Sequence, residues 1–188
     1  IPSTRTPITK KLLEEPGLFK PSEYPGTTLV VAVGFEEKAF LSETVELIWS
    51  QLPDRDPVKF GYAASQWLSR SHEYSTSLNA HSGDGDPVVR WMKSSEGGHC
   101  EYFSGALVLL CRSAGIPARV VTGFHGGSWN GFEDYFMVRN SEAHAWVEIF
   151  DGDAYWVRVD PTPGGNQEIM RLNKATVEVD SFVDFDNS

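Results

Sequence analysis

Residues 97–124 read GGHCEYFSGALVLLCRSAGIPARVVTGF, and the fold turns on how this stretch changes period. From Cys100 to Ser113 apolar side chains fall on nearly every side of a helix, at Tyr102, Phe103, Ala106, Leu107, Leu109, Leu110 and Cys111. That is the mark of a buried central helix rather than a surface one. Gly97 and Gly98 precede it, and Gly115-Ile116-Pro117 stops it. The period then drops to two. Ala118 to Phe124, Tyr135 to Arg139, His144 to Phe150 and Tyr155 to Asp160 are rich in Val, Ile and aromatics and are expected to be strands. A buried helix followed by an antiparallel sheet is an α+β arrangement.

Upstream, Leu41, Val45, Leu47, Ile48 and Leu52 recur at helical spacing until Pro53, and Tyr62, Ala63, Trp67 and Leu68 give an inner face to a second helix over Val58–Ser71. Residues 1–40 carry Pro2, Pro7, Pro16, Pro21 and Pro25 and are expected to be an extension packed on the core, with a short strand at Thr27–Val33. The core domain is expected to span 41–165, and the polar, acidic residues 166–188 to form a tail. The loop Asn79–Pro87 holds Gly83, Asp84, Gly85 and Asp86 but lacks the glutamate and ligand spacing of an EF-hand, so it is taken as a solvated turn and no metal is expected.

The 188 residues carry 16 Lys plus Arg against 26 Asp plus Glu, a formal charge of −10. This acidic balance argues against nucleic acid as a partner, because phosphate binding needs clustered basic side chains. Apolar runs such as Leu107–Cys111 stay far short of the roughly 20 residues of a membrane helix. The chain begins with Ile1-Pro2 and shows no signal-peptide pattern, so it is expected to be a processed product or an excised piece of a longer protein.

Two cysteines make neither a disulfide framework nor a zinc cluster. On one helix Cys100 and Cys111 stand about 16 Å apart, too far to bridge. Cys100 is the one with chemical potential. It opens the buried helix, where unpaired N–H groups and the helix dipole favour a thiolate and can also donate to an oxyanion. A glycine pair before it is expected to let substrate approach the backbone. Cys111, three turns on, is expected to be core.

A thiol nucleophile needs a base, and there are five histidines. His99, beside Cys100, points elsewhere and is expected to be a loop residue. His72, His81 and His125 lie in polar, loop-like surroundings. His144 sits on a strand whose next neighbour is joined through Asp151-Gly152-Asp153, and in a hairpin with a constant index sum of 304 it would face Asp160, with Trp146 facing Arg158 and Glu148 facing Trp156. Directly opposed Cβ atoms lie about 4.5–5.5 Å apart, so Asp160 could accept the imidazole N–H and orient His144. The other ring nitrogen would be left for Cys100, the logic of a nucleophile, a base and an orienting acid.

The stretch quoted above, together with SEAHAWVEIF (141–150) and YWVRVDPTP (155–163), resembles the transglutaminase-like core of bacterial proteins in the papain-like superfamily. The match extends from the helix near Leu41 through DPVVRWM (86–92) to Thr162, about two thirds of the chain, and the resemblance does not extend to residues 1–40 and 166–188. The resemblance implies a papain-like, transglutaminase-core fold with Cys100 as nucleophile, His144 as base and Asp160 as the orienting acid. It also implies a further oxyanion donor from before the cysteine, for which Tyr74, Trp67 and Trp91 all qualify beside the Cys100 backbone.

The implied reaction is thiol-dependent acyl transfer on a protein or peptide amide through a thioester. A lysine amine as acceptor gives a transglutaminase; water gives a cysteine protease or amidase. A non-catalytic module that binds peptide in the same groove is the alternative from another class. No cofactor is implied, and no strong loop for the calcium used by some animal relatives is present. Many relatives of this kind are extracytoplasmic domains of membrane-anchored bacterial proteins, and by analogy the chain is expected to be a periplasmic or extracytoplasmic domain of such a protein.

Overall fold

A computed structural model describes residues 31–76 and 83–165 of the chain. Helix α1 runs Phe35–Trp49 and buries Leu41, Thr44, Val45, Ile48 and Trp49. It starts six residues before Leu41 because Glu37 anchors its first turn: one carboxylate oxygen accepts the Gly34 N–H at 2.6 Å, and the other accepts the Asp86 N–H at 2.5 Å. The 31–34 stretch has no strand, so the described end of the expected Thr27–Val33 strand is irregular, although Val31 and Val33 pack on the core. The rest of that strand, and the tail from 166, lie outside the described residues.

Two helices begin with the same device. Asp56 and Asp86 each accept two backbone N–H groups of the following turn, and Pro57 and Pro87 occupy the first helical position, where a missing N–H costs nothing. The first of these opens α2, Pro57–Ser71; the second opens α3, Pro87–Lys93. The loop 79–87 therefore ends as the cap of a helix that hydrophobic periodicity alone does not reveal, since seven residues are barely two turns. Residues 79–82 of that loop lie outside the described residues.

Helix α4 spans Cys100–Ser113, the expected limits, and buries Phe103, Ser104, Ala106, Leu107, Val108, Leu110 and Cys111. It is central in fact as well as in pattern: α1, α2, α3 and the strands β1 (Ala118–Phe124) and β4 (Ala143–Phe150) all pack on it. After Gly115, at φ +77°, the chain enters β1. The main sheet has the order β1-β4-β5, all antiparallel, with β5 at Trp156–Val159. Ala145, Val147, Ile149 and Val159 line its core face.

Two expectations about the sheet are corrected. The Tyr135–Arg139 strand is shorter, Tyr135–Met137 (β3), and does not join the main sheet; it pairs with β2, Ser128–Asn130, as a separate hairpin. The β4–β5 register also has an index sum of 306 instead of 304: Glu148 faces Arg158 and Phe150 faces Trp156. The connecting turn sets this. The Asp151 carboxylate accepts the N–H groups of Asp153, Ala154 and Tyr155 at 2.9–3.0 Å, and Asp151 N–H donates to the Tyr155 carbonyl. Five residues, Asp151–Tyr155, are thereby locked into the turn. A slip of two residues preserves which side chains share a face, so the change moves partners along the sheet without turning them over.

Candidate active site

Cys100 is partly exposed at the start of α4, and both cysteines are free thiols. His99 is the N-cap residue and not a loop residue: its Nδ1 accepts the Glu101 N–H at 3.3 Å, which turns the ring toward its own helix. Cys111 is fully buried, and burial pushes its thiol far above the ordinary range.

The chain before Cys100 is stitched to a distant segment. Gly98 forms a parallel bridge with Tyr74, in which Ser75 N–H donates to the Gly98 carbonyl at 2.9 Å and Gly98 N–H donates to the Glu73 carbonyl at 3.0 Å. The two glycines serve this approach, not the approach of substrate. A Cβ on Gly97 would stand 2.9 Å from Ser75 Cβ, and one on Gly98 would stand 2.8 Å from the Trp91 indole. The expectation that the pair leaves room for substrate is corrected: protein fills that room.

The stitch places Tyr74 beside the nucleophile. Its hydroxyl is held above the ordinary tyrosine range, first by burial, then by charge at Cys100 and at Asp160 and by a hydrogen bond to the Cys100 side chain, with the Cys100 backbone N–H pulling the other way. Among the three oxyanion candidates Tyr74 is thus the one in contact with Cys100. Trp91 is fully buried beneath Gly98, and Trp67 is half-buried against the core on α2.

His144 and Asp160 are brought together: Nε2 lies 2.7 Å from Oδ2, with Asp160 only 2% exposed. The remaining carboxylate oxygen is occupied, since Oδ1 accepts from Thr162 N–H at 3.1 Å and from Thr162 Oγ at 2.7 Å. Gly165 closes the back of the group; a Cβ there would meet Asp160 Cγ at 2.4 Å. Because a carboxylate only accepts, the Nε2 of His144 carries the proton, and Nδ1 is the nitrogen that Asp160 leaves unengaged. Trp146 supports the imidazole from along the strand, with ring centroids 6.4 Å apart, and the Arg158 guanidinium lies 4.3 Å over the Trp146 ring. Trp146 in turn covers Gly123, where a Cβ would meet it at 2.8 Å. Sequence reasoning missed Thr162, Trp146 and Gly165. Only the Thr162 contact had a local signal, an Asp two residues before a Thr.

The other histidines divide. His72 is not loop-like: it is 3% exposed, its Nδ1 lies 3.0 Å from the Glu96 carbonyl, and its ring stacks on Trp91 at 4.1 Å. It underpins the indole on which Gly98 rests. The His125 ring lies 5.5 Å from that of His144. His81 lies outside the described residues. Among the described residues no group of three or more His, Cys, Asp or Glu side chains could hold a metal, and no helix is long and apolar enough to cross a membrane.

Comparison with known proteins adds sequence and fold evidence. A protein-glutamine gamma-glutamyltransferase of Pseudomonas aeruginosa is 42% identical over 77 residues, 41% of this chain and 12% of that protein. The YebA protein of Bacillus subtilis is 40% identical over 85 residues, 43% of this chain and 12% of its own length. The chain thus spans only about an eighth of these relatives. The crystal structure of the periplasmic domain of TgpA from Pseudomonas aeruginosa, bound to ethylmercury, matches with a TM-score of 0.59 and 27% identity, over 71% of this chain and 46% of that one. A Cytophaga hutchinsonii structure, 20% identical with a TM-score of 0.50 over 76% of this chain and 44% of that one, shares the fold. The model of the transglutaminase-like superfamily matches residues 50–161, more than half of the sequence, and the chain belongs to that superfamily.

Proposed function

We propose that the chain catalyses thiol-dependent acyl transfer on protein or peptide amides, with Cys100 as nucleophile, His144 as base and then acid, and Asp160 as the group that orients His144. The observation that carries this reading is the 2.7 Å contact between His144 Nε2 and a buried Asp160, whose second oxygen is fixed by Thr162. A carboxylate so held fixes the tautomer and the orientation of the imidazole. Tyr74 adds support, because the bridge to Gly98 and the stacking of its ring on Phe103 set it at the start of α4.

In the reaction, the Cys100 thiol proton passes to His144 Nδ1 and the sulfur attacks the amide carbonyl. The oxygen that becomes negative is met by the Cys100 N–H at the start of α4 and by the Tyr74 hydroxyl, once the incoming oxygen takes the place between them. His144 returns the proton to the departing amine as the C–N bond breaks, leaving a thioester. A primary amine then resolves the thioester as a new amide, or water resolves it as an acid. The name of the Pseudomonas relative favours a glutamine side chain as donor and an amine as acceptor. The periplasmic origin of the TgpA domain favours an extracytoplasmic location, as a domain of a larger protein. Residues 41–165 are read as the catalytic unit, with 1–40 as an extension and 166–188 as a tail.

The test is incubation of wild type and Cys100→Ala with glutamine-containing peptides, with and without a primary amine, read by mass. A Cys100-dependent exchange of ammonia for the amine supports acyl transfer to amines. A Cys100-dependent gain of one mass unit, or a cleaved peptide bond, moves the assignment to an amidase or a protease. No Cys100-dependent mass change under any of these conditions defeats the reading.

A further inference from the structure

Between β1 and β4 the chain leaves the main sheet and returns as the β2–β3 hairpin. Its base touches the site: Phe124 still pairs with Ala143, His125 N–H donates to the Glu142 carbonyl at 2.7 Å, and the His125 ring is 5.5 Å from His144. Six of the eleven large hydrophobic side chains that the described residues expose lie between Phe124 and Val138. That concentration makes a patch, where scattered single side chains would need no explanation.

Trp129 and Phe136 are register partners and therefore share one face of the ribbon, at 59% and 57% exposed. Phe132 is fully exposed at the tip. The arm is pre-shaped. Asn130 Oδ1 accepts the N–H groups of Phe132 and Glu133 at 3.0 and 3.4 Å, Asp134 N–H donates to the Asn130 carbonyl, and Asp134 takes a left-handed φ of +58°. Phe136 lies across Gly127, where a Cβ would meet its ring at 2.1 Å. Rigid aromatic side chains on an ordered ribbon lose little entropy when covered.

We propose that this hairpin is a docking arm for the polypeptide substrate, and that it takes segments carrying an apolar side chain next to lysine or arginine. The proposal rests on the acyl-transfer reading and deepens it, by assigning the arm to the substrate of that site. Two observations fix the occupant. The base of the arm is joined to the His144 end of the site through Phe124–Ala143 and His125–Glu142, so a chain held on Trp129 and Phe136 is tethered beside the reacting groups. Glu133 and Asp134 stand at the tip of a chain whose formal charge is −10, which favours a basic partner and disfavours a second copy of the same acidic molecule.

The test uses the full chain carrying Cys100→Ala, so that binding is read without turnover. Fluorescence anisotropy follows a labelled peptide in which one glutamine is flanked by leucine, phenylalanine and lysines, against a second peptide with glutamates in place of the lysines. Trp129→Ser with Phe136→Ser is expected to raise Kd for the first peptide about tenfold, the scale of losing an aromatic anchor. Phe132→Ser, at a fully exposed tip residue, is expected to weaken it about threefold and guards against misfolding of the double variant. The glutamate peptide is expected to bind more weakly, with the difference shrinking at high salt.

Equal affinity for intact and altered arms, no binding of either peptide, or a wild-type dimer that the double variant dissolves would each overturn the proposal. Binding that depends on the arm, in an enzyme that shows no Cys100-dependent chemistry, would instead defeat the acyl-transfer reading and leave the arm as a peptide-binding surface.

Discussion

His144 and Asp160 are not cross-strand partners, yet their side chains meet at 2.7 Å. Continued past Val159, the register of β4 and β5 puts Asp160 opposite Trp146 and leaves His144 one step further along the same face. The pair is therefore diagonal, and a diagonal neighbour is within reach of an imidazole. Thr162 holds Oδ1, and Gly165 closes behind the carboxylate, which leaves Oδ2 directed at the ring.

Asp160→Asn separates orientation from charge. The amide oxygen can still accept from Thr162, so folding should change little. The amide nitrogen can only donate, which forces His144 into the tautomer with Nδ1 protonated and removes the base. A fall in kcat/KM on the order of 10²–10⁴ is expected, with slower iodoacetamide labelling of Cys100 near neutral pH. Cys111 should stay unlabelled in both proteins, its thiol being buried and pushed far up. Peptide mass mapping reads both thiols.

Tyr74→Phe removes a donor and leaves the ring stacked on Phe103. Loss of one oxyanion donor is expected to lower kcat by about 10²-fold with KM nearly unchanged. The pH dependence of stability also has a definite sign. Because the folded-state pKa of Tyr74 is raised, its contribution is intact below the unfolded tyrosine value of about 10, and it is lost as pH rises through the folded value. Denaturant midpoints measured above pH 10 should fall less steeply in the Phe variant.

Gly98→Ala places a Cβ 2.8 Å from an indole that is itself buried and stacked on His72. Neither ring can retreat easily. Overpacking of this kind is expected to cost about 1–3 kcal/mol, and it should lower activity beyond the loss of stability, since the same bridge carries Tyr74 to Cys100. Urea denaturation and kinetics on the folded fraction distinguish the two effects.

Glu37→Gln tests the tie between α1 and α3. Backbone N–H groups of Asp86 and then Gly34 hold the Glu37 carboxyl below its ordinary range. A depressed carboxylate contributes stability that is full above the unfolded value of about 4.3 and is lost as pH falls through the folded value. Wild type and variant should therefore differ in thermal midpoint at pH 7 and converge as the pH is lowered through the carboxylate range.

The sequence by itself determined the elements whose stabilising contacts are local or periodic. α4 was legible because its apolar residues surround the axis and glycines bound it; β1 was legible because the period drops to two after Pro117 in a Val-rich run. Cys100 was legible as the interesting thiol because a helix start acts on the residue that occupies it. The shared face of His144 and Asp160 was also legible, because side-chain alternation survives a register slip of two. Tertiary structure decided the rest. Asp151, by locking five residues into the turn, moved every β4–β5 partner along the sheet, and turn length is fixed by capping that alternation does not encode. Hydrogen bonds between Gly98 and the segment around Tyr74 chose Tyr74 over Trp91 and Trp67 as the neighbour of Cys100. No periodicity could have shown this, because the contact joins residues 24 positions apart through one isolated bridge.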